Sequence, residues 1–217
     1  MTPELYRQLL ATTTGALLLT AVLQVWGRSL LRSIALLAVQ GAALAALVLT
    51  VGLHAGEPEA PLVALLVLVV KSVLLPWAMF RSARLVGETR ERAAQVSTAV
   101  ELIVAAGLTL LAYVVSGPIL GPDAAGQAVP VGLSLVLLGF WQLLVRGSAI
   151  TQLAGFLLLD NGIAAVSFLT SGGLPLTVEL GASLDVLLVV LILGVLVVRL
   201  QRQQGHADIT ELRELHD

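Results

Sequence analysis

Seven runs of apolar residues, each long enough to cross a hydrocarbon layer, follow one another along this chain with only short polar breaks between them. They cover approximately residues 5–26, 29–53, 60–80, 96–116, 128–145, 148–171 and 174–198. A bilayer core of about 30 Å takes ~20 helical residues to span. Only helices and closed barrels satisfy their backbone groups in lipid, and none of these runs alternates apolar and polar positions as a barrel strand does. The pattern predicts an all-α integral membrane protein of about seven transmembrane helices with almost no soluble part. Arg7 precedes the first run as a basic residue precedes a signal core. That run is too long for such a core, and no small-x-small cleavage site precedes Arg28, so a retained first helix is expected. Its Thr12-Thr13-Thr14-Gly15 patch marks a face that a neighbouring helix should shield.

Composition agrees with the pattern. Of 217 residues, 58% are apolar and 12% charged, and the mean hydropathy is +0.98. A soluble domain averages about half apolar and a quarter charged. The basic residues then orient the helices. Arg28 and Arg32 separate the first two runs, Arg81, Arg84, Arg90 and Arg92 the third and fourth, and Arg146 the fifth and sixth. Arg199, Arg202 and Arg213 follow the seventh, whereas the alternate connections 54–59, 117–127 and 172–173 hold neither Lys nor Arg. By the positive-inside rule the N-terminus lies outside and the C-terminus in the cytoplasm, with Arg7 the exception.

Several chemistries are excluded. The absence of cysteine rules out thiolate-ligated iron–sulfur clusters, disulfides and a nucleophilic thiol. The histidines, His54, His206 and His216, fall at helix ends or in the tail, so no intramembrane pair is available to a haem. There is no phosphate-cradling glycine motif, and a net charge of −2 offers nucleic acid no footprint. The polypeptide is expected to hold no catalytic site, cofactor or metal of its own.

The candidate functional residues are charges within the apolar runs. Lys71, the chain's one lysine, lies near the centre of the third run, Asp160 near the centre of the sixth and Asp185 near the centre of the seventh. A charge at mid-bilayer costs several kcal/mol, so it is retained where it faces protein or water. Burial disfavours the charged form of such groups and a nearby opposite charge favours it, so a balanced set can change protonation when a neighbour's charge moves. Their shared depth suits proton transfer along the plane of the bilayer rather than across it. The alternative is structural: Lys71 as the ion-pair partner of Asp160 or Asp185, with neither acid a transfer site. Glu179 sits about a turn inside its helix, where the helix dipole stabilises a carboxylate at the membrane edge. Glu101 lies about 7 Å inside its own helix, within reach of water, and is expected to be an interfacial charge. Gln40, Gln142, Gln152 and Asn161 suit interhelical hydrogen bonds.

A weak parallel repeat relates Gln40-Gly41 to Asn161-Gly162, and Pro61 with Lys71 to Pro175 with Asp185. Residues 81–95 form a charged connector. In the tail, Asp208 and Glu211 make a capping-box pattern, and Ile209, Leu212 and Leu215 an apolar stripe suited to docking on a partner.

The stretch Gly155 to Val198 resembles the three-helix K subunit of respiratory complex I and its antiporter relatives. Over nearly all of its length the chain resembles the hydrogenase-4 component E family. The resemblance rests on Val70-Lys71-Ser72-Val73-Leu74-Leu75-Pro76, on Leu159-Asp160-Asn161-Gly162, and on Val178-Glu179-Leu180-Gly181 followed by Asp185. It departs at Asp160, where that family usually has the longer glutamate. The resemblance implies a non-redox membrane subunit of a complex-I-like assembly, a group 4 hydrogenase or formate hydrogenlyase, in a prokaryotic cytoplasmic membrane. Its partners would be antiporter-like and K-, J- and H-type membrane subunits together with cytoplasmic redox subunits. Lys71, Asp160, Asp185, Glu179 and Glu101 would be candidates for its proton path. A subunit of a multisubunit cation/proton antiporter and a structural scaffold are the alternatives. Three parts follow: a four-helix membrane part at 1–127, a K-subunit-like part at 128–200 and a cytoplasmic tail at 201–217.

Overall fold

The computed structural model describes residues 1–27, 29–86, 97–117 and 123–171. They hold six spans long and apolar enough to cross a membrane, against the seven expected of the whole chain. The expected seventh helix at 174–198, with Glu179 and Asp185, lies outside the described residues, as do the tail and residues 87–95 of the expected connector. Residues 81–86, expected in that connector, instead continue a helix that ends at Val86. The spans are α1 (Pro3–Trp26), α2 (Leu30–Ala55), a third assembled from three segments, α5 (Thr98–Ser116), α6 (Ala124–Val145) and α7 (Ala149–Ser171). The third runs from α3 (Ala60–Val67) through a π-helical segment (Leu68–Leu74) into α4 (Leu75–Val86).

Local chemistry sets several boundaries. Thr2 caps α1 by accepting from the Leu5 N–H, with Pro3 at the first helical position, where its missing donor costs nothing. Asp123 accepts from the Gly126 N–H and starts α6 four residues before the expected 128. Helix α2 ends on Gly56, whose positive φ of 78° suits a residue without a Cβ.

The spans alternate in direction. Gln24 of α1 meets Gln142 of α6, while Leu10 and Thr14 share a cavity with Ala128 and Val131, so α1 and α6 run together. Gln40 of α2 reaches back to Leu17 and Thr20, and Tyr6 stacks on His54 with ring centroids 3.7 Å apart, so α2 runs against α1. The four helices α1, α2, α6 and α7 form the centre, with α5 against α1 and α6 and the third span against α2 and α7. Arg32, Arg81, Arg84 and Arg146 consequently gather at one end of the bundle and Arg7 at the other. In the threonine patch, Thr13 and Thr14 are buried and their hydroxyls donate to carbonyls of α1 itself, while Thr12 is exposed.

Helices α6 and α7 are joined backbone to backbone. Gly132 and Gly139 face Gly155 and Gly162. A Cβ on Gly139 would lie 2.5 Å from the Leu159 nitrogen, and one on Gly162 2.6 Å from the Val136 nitrogen. Lipid tails are as apolar as leucine, so membrane helices associate through close packing and polar contacts, and small residues permit the approach. This seam fixes the register of α7, and with it Asp160.

Candidate functional site

Pro76 shapes the middle of the third span. A proline inside a helix donates no hydrogen bond, and its ring clashes with the carbonyl four residues earlier, here that of Ser72. The preceding residues adopt a wider π-helical turn, which relieves such a clash, and the Leu75 N–H bonds to the carbonyl of Val70. Lys71 sits inside that turn.

The turn is pressed onto α2. A Cβ on Gly41 would lie 2.5 Å from the Lys71 carbonyl carbon and 2.6 Å from its oxygen, so only glycine fits there. The Ser72 hydroxyl donates to the Ala38 carbonyl at 2.7 Å and pins the contact. From this position the Lys71 ammonium reaches α7 and donates to Asp160 Oδ2 at 2.6 Å. The lysine side chain is 3% exposed and the aspartate 18%. The next residue, Asn161, donates to Gln40 Oε1 at 3.0 Å, and Gln40 Nε2 lies 3.4 Å from both Thr20 Oγ1 and the Leu17 carbonyl. Two successive residues of α7 thus tie it to the third span and to α2, and through Gln40 to α1.

A second polar cluster lies toward the arginine-bearing end. Gln24 Nε2 donates to the Ala154 carbonyl at 3.1 Å and lies 3.4 Å from Gln142 Oε1. One turn beyond Gln142, Arg146 donates to the carbonyls of Val25 at 2.8 Å and Gly27 at 3.3 Å, and its guanidinium is 3.9 Å from Glu101 Oε1. Glu101 is 1% exposed, so the interfacial charge expected at this position is instead enclosed between α5 and α6. The physical reason is Arg146, which turns inward to satisfy the carbonyls at the end of α1 and supplies the counter-charge. Sequence reasoning missed Arg146, treated as a loop residue, and Gln24. The one available signal was their polarity close to helix ends, which does not distinguish an inward from an outward side chain. Gln152 donates to the Arg146 carbonyl and closes the α6–α7 turn.

The sequence candidates thus divide. Lys71 and Asp160 are joined; Glu101 is held apart from them in the second cluster; Asp185 and Glu179 lie outside the described residues. Among the described residues no three His, Asp or Glu side chains gather as a metal site. Both partners of the central pair can gain and lose protons, whereas an arginine pair has one partner that stays charged. The chemistry available at the centre is therefore proton holding and transfer, or the fixing of helix register.

No family model matches the chain, and no solved structure matches it significantly. Hydrogenase-4 component E of Escherichia coli is 28% identical to it over 149 residues, 68% of this chain and 69% of that protein. The same values hold for hydrogenase-4 component E of Shigella flexneri. The uncharacterized protein Rv0085 of Mycobacterium tuberculosis is 46% identical over 209 residues, 94% of either chain. With identity at that level along nearly the whole of both chains, and six apolar helices of spanning length among the described residues, the chain belongs to the family of multi-pass membrane proteins that includes Rv0085.

Proposed function

We propose that this chain is a non-redox membrane subunit of a complex-I-like hydrogenase assembly, in which Lys71 and Asp160 handle protons that move when cytoplasmic subunits turn over. The observation that carries the reading is the buried Lys71–Asp160 pair, two titratable groups at mid-span on different helices. The distant similarity to hydrogenase-4 component E supplies the assembly type. In this reading the N-terminus faces outward in a prokaryotic cytoplasmic membrane, and the arginine-bearing end of the bundle faces the cytoplasm. Residues 128–200 form the K-like unit in this reading, with Asp185 and Glu179 as further candidates for the path. Antiporter-like and K-, J- and H-type subunits surround it.

A scaffold reading has one observation in its favour. The pair is closed at 2.6 Å, as a register-fixing ion pair would be. The two readings predict different behaviour of the same variants.

Extraction of the tagged protein from native membranes in mild detergent, followed by identification of the retained subunits, tests the assembly. Co-purification with iron–sulfur and hydrogenase subunits is expected. Antiporter-type subunits without an iron–sulfur protein would replace the reading with a cation/proton antiporter.

A further inference from the structure

Several of the buried polar side chains of the bundle fall into one column. From the Lys71–Asp160 pair they descend through Asn161, Gln40 and Thr20 to Gln24 and Gln142, then to Arg146 and Glu101. Thr20 and Gln24 are four residues apart on α1, and Gln142 and Arg146 four apart on α6, so each pair shares a helix face about 6 Å apart in depth. All seven of these side chains beyond the central pair are more than nine-tenths buried. A polar group in such a place costs free energy unless it is hydrogen-bonded. Yet Gln24 Oε1 and Gln142 Nε2, an acceptor and a donor on neighbouring side chains, find no hydrogen-bonding partner among the described residues. One water accepting from Gln142 and donating to Gln24 would satisfy both, which is the setting in which buried water is found.

We propose that this column is a hydrated half-channel leading from the Arg146 end of the bundle to Asp160, with Glu101 as its proton-exchanging group at the mouth. The inference rests on the proton-handling reading of the central pair and adds to it an axial route, staggered in depth, beside the lateral one. Glu101 passes a proton inward to the water held by Gln24 and Gln142 and regains one from the aqueous face, ending as it began. The amides cannot titrate, so they orient water and the water carries the proton. Arg146 stays charged and holds Glu101 in place, acting as a positioning residue. The Asp160 side chain, the more open partner of the central pair, receives the proton.

The chain has no native cysteine, so single cysteines report water access within the assembled complex in native membrane vesicles. The probe is a membrane-impermeant, cationic methanethiosulfonate applied to one face at a time. Thr20→Cys and Gln142→Cys should be modified from the Arg146 face alone. Leu47→Cys, equally buried but beyond the pair on α2, should be unmodified from either face. Modification of Gln142→Cys should also lower protons moved per redox turnover without lowering turnover. Glu101→Gln should do the same, with recovery in Glu101→Asp. Absence of labelling at Thr20 and Gln142, or labelling from the opposite face, would overturn the half-channel and leave the column as structural packing. Labelling is read without any pumping assay, so its failure is distinct from failure of the central pair to matter for translocation.

Discussion

Lys71 Nζ and Asp160 Oδ2 lie 2.6 Å apart across 89 residues of sequence, each near the middle of its membrane span. The contact is asymmetric. The Lys71 side chain is 3% exposed, while the Asp160 side chain keeps 18% of its surface open. In the proposed reading the lysine is the fixed partner and the aspartate the one that exchanges a proton.

Removing one partner should harm the protein more than removing both. Lys71→Met strands a half-buried carboxylate and Asp160→Leu a buried ammonium, and breaking a fully buried pair costs about 3–5 kcal/mol. Replacing both by apolar residues of similar size can be nearly neutral. Thermal unfolding of the purified complex should show each single variant melting well below the double. Equal losses in singles and double would mean that the two charges do not compensate each other.

Gly41 should tolerate no side chain. Gly41→Ala puts a methyl group within 2.5 Å of the Lys71 backbone, and overpacking of this kind costs roughly 1–3 kcal/mol. Gly107→Ala, where a Cβ meets nothing within 4 Å, should be neutral or slightly stabilising. Melting temperatures of the two variants side by side decide the point.

The Asn161–Gln40 hydrogen bond, which joins α7 to α2, should matter as well. Asn161→Leu leaves the Gln40 carbonyl oxygen buried without its donor, a loss of about 1–3 kcal/mol. A melting temperature unchanged from wild type would show that Gln40 finds another donor.

Topology gives an independent check. Cysteines replacing Glu57, in the exposed α2–α3 connection, and Gly147, in the exposed α6–α7 turn, lie at opposite ends of the bundle. An impermeant maleimide should label the first from outside the cell and the second from the cytoplasm alone. The reverse pattern would invert the proposed orientation.

Run length and hydropathy made the six described spans legible in the sequence, because lipid imposes one length on every crossing helix. Depth was legible for the same reason, and so the central placement of Lys71 and Asp160 was expected, although which acid the lysine meets was not. Rotation about a helix axis was the hidden quantity. Arg146 and Glu101 look like end-of-helix charges in one dimension, yet the structure turns them toward each other and away from the surface. The π-helical turn was signalled only by Pro76. The Gly132, Gly139, Gly155 and Gly162 seam has no signal in hydropathy at all, since glycine counts as neither core nor surface.

The central claim is that Lys71 and Asp160 move protons rather than merely hold helices together. The most direct measurement is the number of protons moved per redox turnover in membrane vesicles containing the Lys71→Met, Asp160→Asn double variant. Neutralising both charges at once keeps the assembly intact and removes the titratable groups. The account predicts near-normal complex content and redox turnover with a reduced proton yield per turnover. A wild-type proton yield in the assembled double variant would contradict it and make the pair a structural fastening.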